Sequence, residues 1–544
     1  MNDQPATTVK PRKRRALWTM FGVTLAMAGY AVLGAERNVP SVVLPPADPA
    51  APAAVRGAVA FVGSGFGGIS QRSLETNAIP WKLAAAALVL EEEARDAQAP
   101  SDQATLRRVL VRFGFLFPER LIGLPDGVAP DFTAKPLGMT HGTIAPVGGA
   151  KVEVANLGCA ACHSGVSYDA AGNPVPSVAA PGTPNTSLDL ESYTQAIFTA
   201  MRRFGEDPAL LATAEQLFPE MDWRERASLR WLVLPLAQSR LADLAGQDRA
   251  MPFPNGLPGA TNGVAALKSQ LRTPLREGGA MDRGLVSIPE LALRDQRSRL
   301  LTDGAYAAPG GRADPKALAA ITSFFTVPSM GVHPGEARSH QGEVEAIFAW
   351  LATYRSPPFP GPVDRERARQ GLAVYTRDCA SCHGDVRWDG ARPELARYTD
   401  WVGNVGTDPL RADLFDAPLA AAVVQSGYAD VITVKTGQGY AAPPLAGLWS
   451  SAPYLHNGSV QSLEALLDPA RRLARFQVGG HALDWQTVGL RLTPEGRYPA
   501  GYLPFAAPQW VDTALPGLGN GGHTFGKDLA DRERRSLIEF LKLL

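Results

Sequence analysis

The sequence predicts a mainly α-helical chain of two similar modules with long loops, preceded by an N-terminal signal or anchor helix. Three observations predict it. Apolar residues recur at helical spacing in several segments, whereas strand-like alternation is scarce. One five-residue pattern, Cys-x-x-Cys-His, occurs twice, at 159–163 and 379–383. A proline-rich run from Ser356 to Pro362 separates the copies and breaks the helix before it. The chain has 544 residues, enough for two or three domains, and its 45% hydrophobic content argues against disorder. With 53 basic and 53 acidic residues, nothing points to nucleic acid or an acidic partner. The 54 glycines and 46 prolines imply many loops between modest helices.

Residues 1–35 read as a signal peptide or membrane anchor. Lys10, Arg12, Lys13, Arg14 and Arg15 precede an uncharged apolar run from Ala16 to Ala35. That is the layout of an export signal, and the run is long enough to span a bilayer. The basic flank stays inside. The rest is therefore expected on the periplasmic or extracellular side, either released or anchored to the inner membrane. A Pro/Ala-rich linker (36–56) leads to a first domain (57–355), a second linker (356–363) and a second domain (364–544). In the first domain, Trp81–Ala97, Thr105–Phe115, Leu190–Phe204, Trp223–Leu244 and Val344–Tyr354 read as helices. In the second, Asp364 caps a helix through Arg367, Leu372 and Tyr375. A terminal helix from Leu529 to Leu543 presents Leu537, Ile538, Leu541 and Leu544 to the core, with Arg532, Arg534 and Arg535 facing water.

All four cysteines fall in the two motifs, Cys159/Cys162/His163 and Cys379/Cys382/His383. Two cysteines three apart on a helical turn can each form a thioether to one vinyl group of haem. The next residue then directs its imidazole at the iron. A structural zinc site would need two more ligands beside each pair, and no other cysteine exists. A redox dithiol does not account for the adjacent histidines. The expected cofactors are therefore two covalently attached haem c groups, with His163 and His383 as proximal ligands, in two cytochrome c-like domains. Haem c is attached outside the cytoplasm, in agreement with the N-terminus.

The sixth iron ligand decides function: His or Met there makes an electron carrier, and an open position admits oxygen or peroxide. His523, in a loop before the terminal helix, is the first candidate for the second iron, with His456 its rival. Met330 precedes the last helix of the first domain in the same way and is the candidate for the first iron. His333 competes with it, and Phe324 and Phe325 would otherwise cover an open, dry face.

Several segments resemble the di-haem c-type cytochromes that include bacterial rubber oxygenases, distantly related to di-haem cytochrome c peroxidases. They are Arg112–Pro118, Pro136–Met139, Asn156–Gly165, Pro181–Thr186, Tyr375–Gly384, Gly406–Pro409, Ala452–Val460 and Gly522–Gly526. The resemblance implies a mostly α fold with the haems near one another. It implies a bis-histidine second haem, matching His523, and a first haem that binds oxygen in an apolar pocket. The stretch 276–326, which has no Trp, departs most from the family.

Two functions are compatible with this reading. One is an oxidoreductase with peroxide or oxygen chemistry at the first haem, where Glu336, His340 or His141 would supply acid–base help. The other is a pure electron-transfer cytochrome with both irons six-coordinate. The partner is a redox protein or a small-molecule oxidant. No acidic cluster has the ligand density for Ca²⁺.

Overall fold

Two pairs of crossed helices frame the molecule, and they are built alike. The Arg365–Asp378 helix crosses the C-terminal Asp531–Leu541 helix so closely that a Cβ on Gly371 would lie 2.0 Å from the Ser536 carbonyl oxygen. One turn further on each helix, Tyr375 meets Phe540 with ring centroids 5.3 Å apart. The Ala53–Val62 helix crosses Gln341–Thr353 in the same manner. A Cβ on Gly57 would lie 1.9 Å from the Ala346 oxygen, and Phe61 meets Trp350 at 4.7 Å. In both crossings a glycine admits the partner backbone, and an aromatic four residues on locks the angle. Asp364 caps the later helix by accepting the Arg367 N–H at 3.0 Å.

The structure is a computed structural model that describes residues 48–63, 79–126, 128, 135–145, 150–243, 246, 251, 253–275, 283–311, 315–330, 338, 340–426, 429–437 and 439–544. The basic and apolar N-terminal segment lies outside the described residues. Among the described residues no helix is long and apolar enough to cross a membrane.

The crossed pairs differ in the path from their first helix to the cysteine motif. Arg365–Asp378 runs directly into Cys379. The earlier chain leaves its helix at Val62 and returns to its motif only at Cys159. The intervening residues supply the Trp81–Arg95 and Gln103–Arg112 helices, the latter capped by Asp102, which accepts the Thr105 N–H. They also supply an antiparallel ladder of Met139–Ile144 with Val152–Leu157, edged by Ile79–Pro80.

The mainly α expectation is therefore corrected to a mixed α/β fold, 40% helical and 15% strand. The strands form eight sheets of two or three strands among the described residues. Their pattern was hidden by burial. Strand 139–144 is covered on both faces, so no polar alternation marks it. The 223–244 segment is helical but interrupted, with a π turn at Leu229–Val233 between Trp223–Ser228 and Leu234–Asp243. A second correction concerns Arg534. It is buried, pairing with Asp531 at 2.7 Å and Asp468 at 3.4 Å, because Asp468 leads a turn packed under the last helix.

Three apolar clusters fill the interior. One gathers the Ala53–Val62 and Gln341–Thr353 helices with Leu414, Phe415 and Leu419. A second lies under the Trp81–Arg95 helix and the 139–157 ladder. The third joins Tyr375 and the last helix to Tyr454, Phe476 and Val511.

Candidate functional site

Each Cys-x-x-Cys-His motif forms a single helical turn, Cys159–Cys162 and Ala380–His383. The first turn is held from three sides. Asn185 donates its side-chain amide to the Ala161 and Gly114 carbonyls at 3.1 and 3.0 Å, and its backbone N–H to Cys162 at 2.7 Å. Gly138, at φ +78, lies so close that a Cβ there would be 1.8 Å from the Ala161 nitrogen. None of the four cysteines forms a disulfide, and burial pushes the Cys159, Cys162 and Cys379 thiols up to about 12. These are not the low-pKa thiols of redox dithiols. Among the described residues no group of three or more His, Cys, Asp or Glu side chains could hold a bare metal ion.

The histidine at the end of each turn is oriented in the same way. His163 Nδ1–H donates to the Pro289 carbonyl at 3.0 Å, and His383 Nδ1–H to the Pro443 carbonyl at 2.8 Å. A donor at Nδ1 leaves the Nε2 lone pair free for a metal. Burial lowers both histidines, His163 to about 4 with help from the nearby Arg294 charge.

Beyond that shared geometry the sites diverge. Opposite His383 stands His523, with ring centroids 6.3 Å apart. An imidazole with bonds of about 1.33 Å has its centre about 1.1 Å behind each nitrogen. Two metal–nitrogen bonds of about 2.0–2.1 Å then place the centres of opposed rings about 6.3 Å apart. The ring-centre distance would thus let both imidazoles hold one iron. His523 has φ +44, and the preceding Gly522 has φ +72. Its N–H donates to the Val405 carbonyl at 2.8 Å. Arg472 donates to the carbonyls of Asn520, Gly522 and His523, at 2.5, 2.9 and 3.2 Å. Burial, then the neighbouring His383, lowers His523 to about 4, and its Nδ1 is buried without a partner.

His163, Cys159 and Cys162 instead face a cavity of about 600 Å³, lined mainly by apolar residues such as Leu83, Tyr193, Phe198 and Phe348. The size is that of a small-molecule or cofactor site. Among the described residues no second histidine lines it, while Met139, Met201 and Met251 do. Met330 ends the Pro315–Met330 helix, but its side chain, with those of Phe324 and Phe325, lies outside what is described. His333 and Glu336 also lie outside the described residues.

His456 does not face His383. Its ring stacks on Tyr440 at 3.9 Å, and burial with the Arg411 charge lowers it to about 3. His481 is fully buried and accepts the Gly479 N–H at Nδ1, 3.4 Å away. His141 lies behind the first site, its Nδ1 3.1 Å from Glu153 and its ring edge-on to Trp81. His340 starts a helix, 3.7 Å from Glu343.

Sequence reasoning missed Pro289, Pro443, Arg472 and Arg294. The prolines act through backbone carbonyls, which any residue carries, so no signal marked them. Gly138 and Asn185 lay inside segments singled out for resemblance, but their supporting contacts were not legible there.

The residues fit covalently bound haem: thiols beside oriented imidazoles, one imidazole facing a cofactor-sized cavity, the other facing a histidine at iron-bridging distance. Such features are those of c-type cytochromes, which bind haem iron. The family model described as RoxA-like, cytochrome c-like matches residues 439–477, which supports a relation to the rubber-oxygenase cytochromes. This segment contains Tyr440, Pro443, His456 and Arg472. Two proteins of Sinorhizobium fredii are also similar, both described as uncharacterised. One, y4iJ, is 29% identical over 35% of this chain and 41% of its own length. The other, y4iM, is 33% identical over 25% of this chain and 37% of its own. The chain thus spans less than half the length of either relative.

Proposed function

We propose that the chain is an exported di-haem c-type cytochrome in which the first haem is the reactive centre and the second is an electron-transfer centre. The observation that carries this reading is the contrast between the motifs. His383 has His523 facing it at 6.3 Å, whereas His163 faces a 600 Å³ apolar cavity. A haem c with an open axial position reacts with dioxygen or peroxide, and a bis-histidine haem only passes electrons. Cys159 and Cys162 would hold the first group, and Cys379 and Cys382 the second. His163 and His383 would be the proximal ligands, each aimed by a proline carbonyl. The apolar wall of the first cavity would exclude water and set a low dielectric around bound reactants. The duplicated helix crossing supports two cytochrome c-like domains, 57–355 and 364–544. The basic and apolar N-terminus supports export, with the chain released or held at the inner membrane. A redox protein or a small-molecule oxidant would be the partner.

A second reading, both irons six-coordinate, is favoured by the methionines that line the first cavity, and the same experiment separates the two. Intact mass of the mature protein should exceed the polypeptide by two haems. Carbon monoxide added to the reduced protein should bind one haem equivalent. Binding to neither would overturn the reactive-centre reading in favour of pure electron transfer. A mass equal to the bare chain would overturn both.

A further inference from the structure

Two buried arginines line the first cavity, a third lies beside one of them, and they are not alike. Arg411, 2% exposed, is fully engaged, with Nε donating to Asp303 at 2.9 Å and Nη1 to the Gly284 carbonyl at 2.8 Å. Arg294, 9% exposed, lines the same cavity, and its guanidinium has neither a hydrogen bond nor an ion pair among the described residues. Arg297, 5% exposed, donates one Nη2–H to the Leu301 carbonyl at 2.8 Å, and its Nε–H is buried without an acceptor. The two unpaired guanidiniums are close enough to repel. Burial, then Arg297, brings Arg294 down to about 9.

Glu290 and Tyr398 lie near Arg294, but among the described residues neither makes a hydrogen bond or ion pair with either guanidinium. Burial raises Glu290 to about 8 and Tyr398 to about 12. Asp400 accepts the Ser298 N–H at 3.0 Å, and no carboxylate among the described residues reaches ion-pair distance of either arginine. Two buried cations without an anion are strongly destabilising, and an anion from outside the chain removes that cost.

We propose that Arg294 and Arg297 form the binding site for the propionate carboxylates of the haem held at Cys159, Cys162 and His163. The proposal rests on the haem reading of that motif. A guanidinium matches a carboxylate through paired N–H groups. Of the arginines that line the cavity, Arg240 is exposed and Arg411 is paired with Asp303, so Arg294, with Arg297 beside it, is where the anionic edge of the macrocycle is stabilised. The pair also lies toward the second motif. Tyr398, which feels both charges, donates its hydroxyl to Ala442, next to the Pro443 that receives His383. As positive charges beside the first motif, the arginines also favour the reduced form of the first centre.

The test uses the full, matured chain with Arg294→Gln, Arg294→Lys and Arg297→Gln. Intact mass counts attached haem, and a spectroscopic redox titration follows each centre. Arg294→Gln should keep both haems. It should shift the first centre at least about tenfold toward the oxidised form, about 59 mV for one electron. Arg294→Lys should retain most of the wild-type potential, Arg297→Gln should shift it in the same direction, and the second centre should not move. A shift below roughly threefold in both Gln variants overturns the proposal. So does an equal shift for Arg294→Gln and Arg294→Lys, which would mean packing and not charge. If Arg294→Gln does not mature, Arg297→Gln carries the comparison. A wild-type chain without haem on Cys159 and Cys162 defeats the underlying reading, and the titration is not then needed to reject the site.

Discussion

Replacing Gly371 with alanine should loosen the frame that positions the second motif. The new Cβ would stand 2.0 Å from the Ser536 oxygen, 2.5 Å from its carbonyl carbon and 2.8 Å from Phe540 Cβ. A carbon–oxygen contact normally settles at about 3.3–3.6 Å, so the helices must part by more than about 1 Å. The first obstacle is backbone, which cannot swing away as a side-chain end would. Overpacking costs about 1–3 kcal/mol, and a backbone clash belongs at the upper end. Alanine returns about 0.8–1.0 kcal/mol of helix propensity. The net loss is therefore about 1–2 kcal/mol. Denaturant unfolding, followed by far-ultraviolet circular dichroism and by haem absorbance, measures it. Gly57→Ala should behave the same way, since its Cβ would meet the Ala346 oxygen at 1.9 Å. Gly342→Ala, with nothing within 4 Å, should instead stabilise by about 0.4–1 kcal/mol. Equal or greater stability in Gly371→Ala would refute the close crossing.

Two further outcomes are expected. Under the proposed function, a haem at Cys379 and Cys382 should change in His523→Ala from a low-spin, ligand-inert spectrum to one that binds carbon monoxide when reduced, and an unchanged spectrum would reject His523 as its ligand. Glu290 gives a pH dependence. Burial raises its carboxyl from 4.5 to about 8, so between those values the unfolded chain has released a proton that the folded chain retains. Its contribution to stability therefore falls as pH rises from 4.5 to about 8, and Glu290→Gln should flatten that part of the wild-type pH–stability curve. Parallel curves for the two proteins would rule out a neutral buried Glu290.

The order of the fold explains why some features were readable and others were not. A thioether motif is local, since one helical turn brings Cys159 and Cys162, or Cys379 and Cys382, beside the next histidine. The long amphipathic helices are local too, and Leu190–Phe204 falls on the residues its periodicity marks. The strands around the first motif escaped because burial on both faces removes alternation. The Ala53–Val62 helix was not among the expected helices, since its first residues, through position 56, fall in the Pro/Ala-rich linker.

What the sequence determined by itself was the chemistry available at each attachment point: two thiols, an imidazole, and no spare cysteine for other uses. Only the tertiary structure decided what stands opposite each imidazole. His523 lies 140 positions from His383 and reaches it through the Arg472 carbonyl clamp and the left-handed turn at Gly522. Likewise, Arg294 and Arg411 are equivalent letters in a sequence and both line the cavity, but folding pairs Arg411 with Asp303 and, among the described residues, brings no carboxylate to ion-pair distance of Arg294. Periodicity and spacing report neighbours along the chain. Axial ligation and charge compensation depend on neighbours in space, which packing selects.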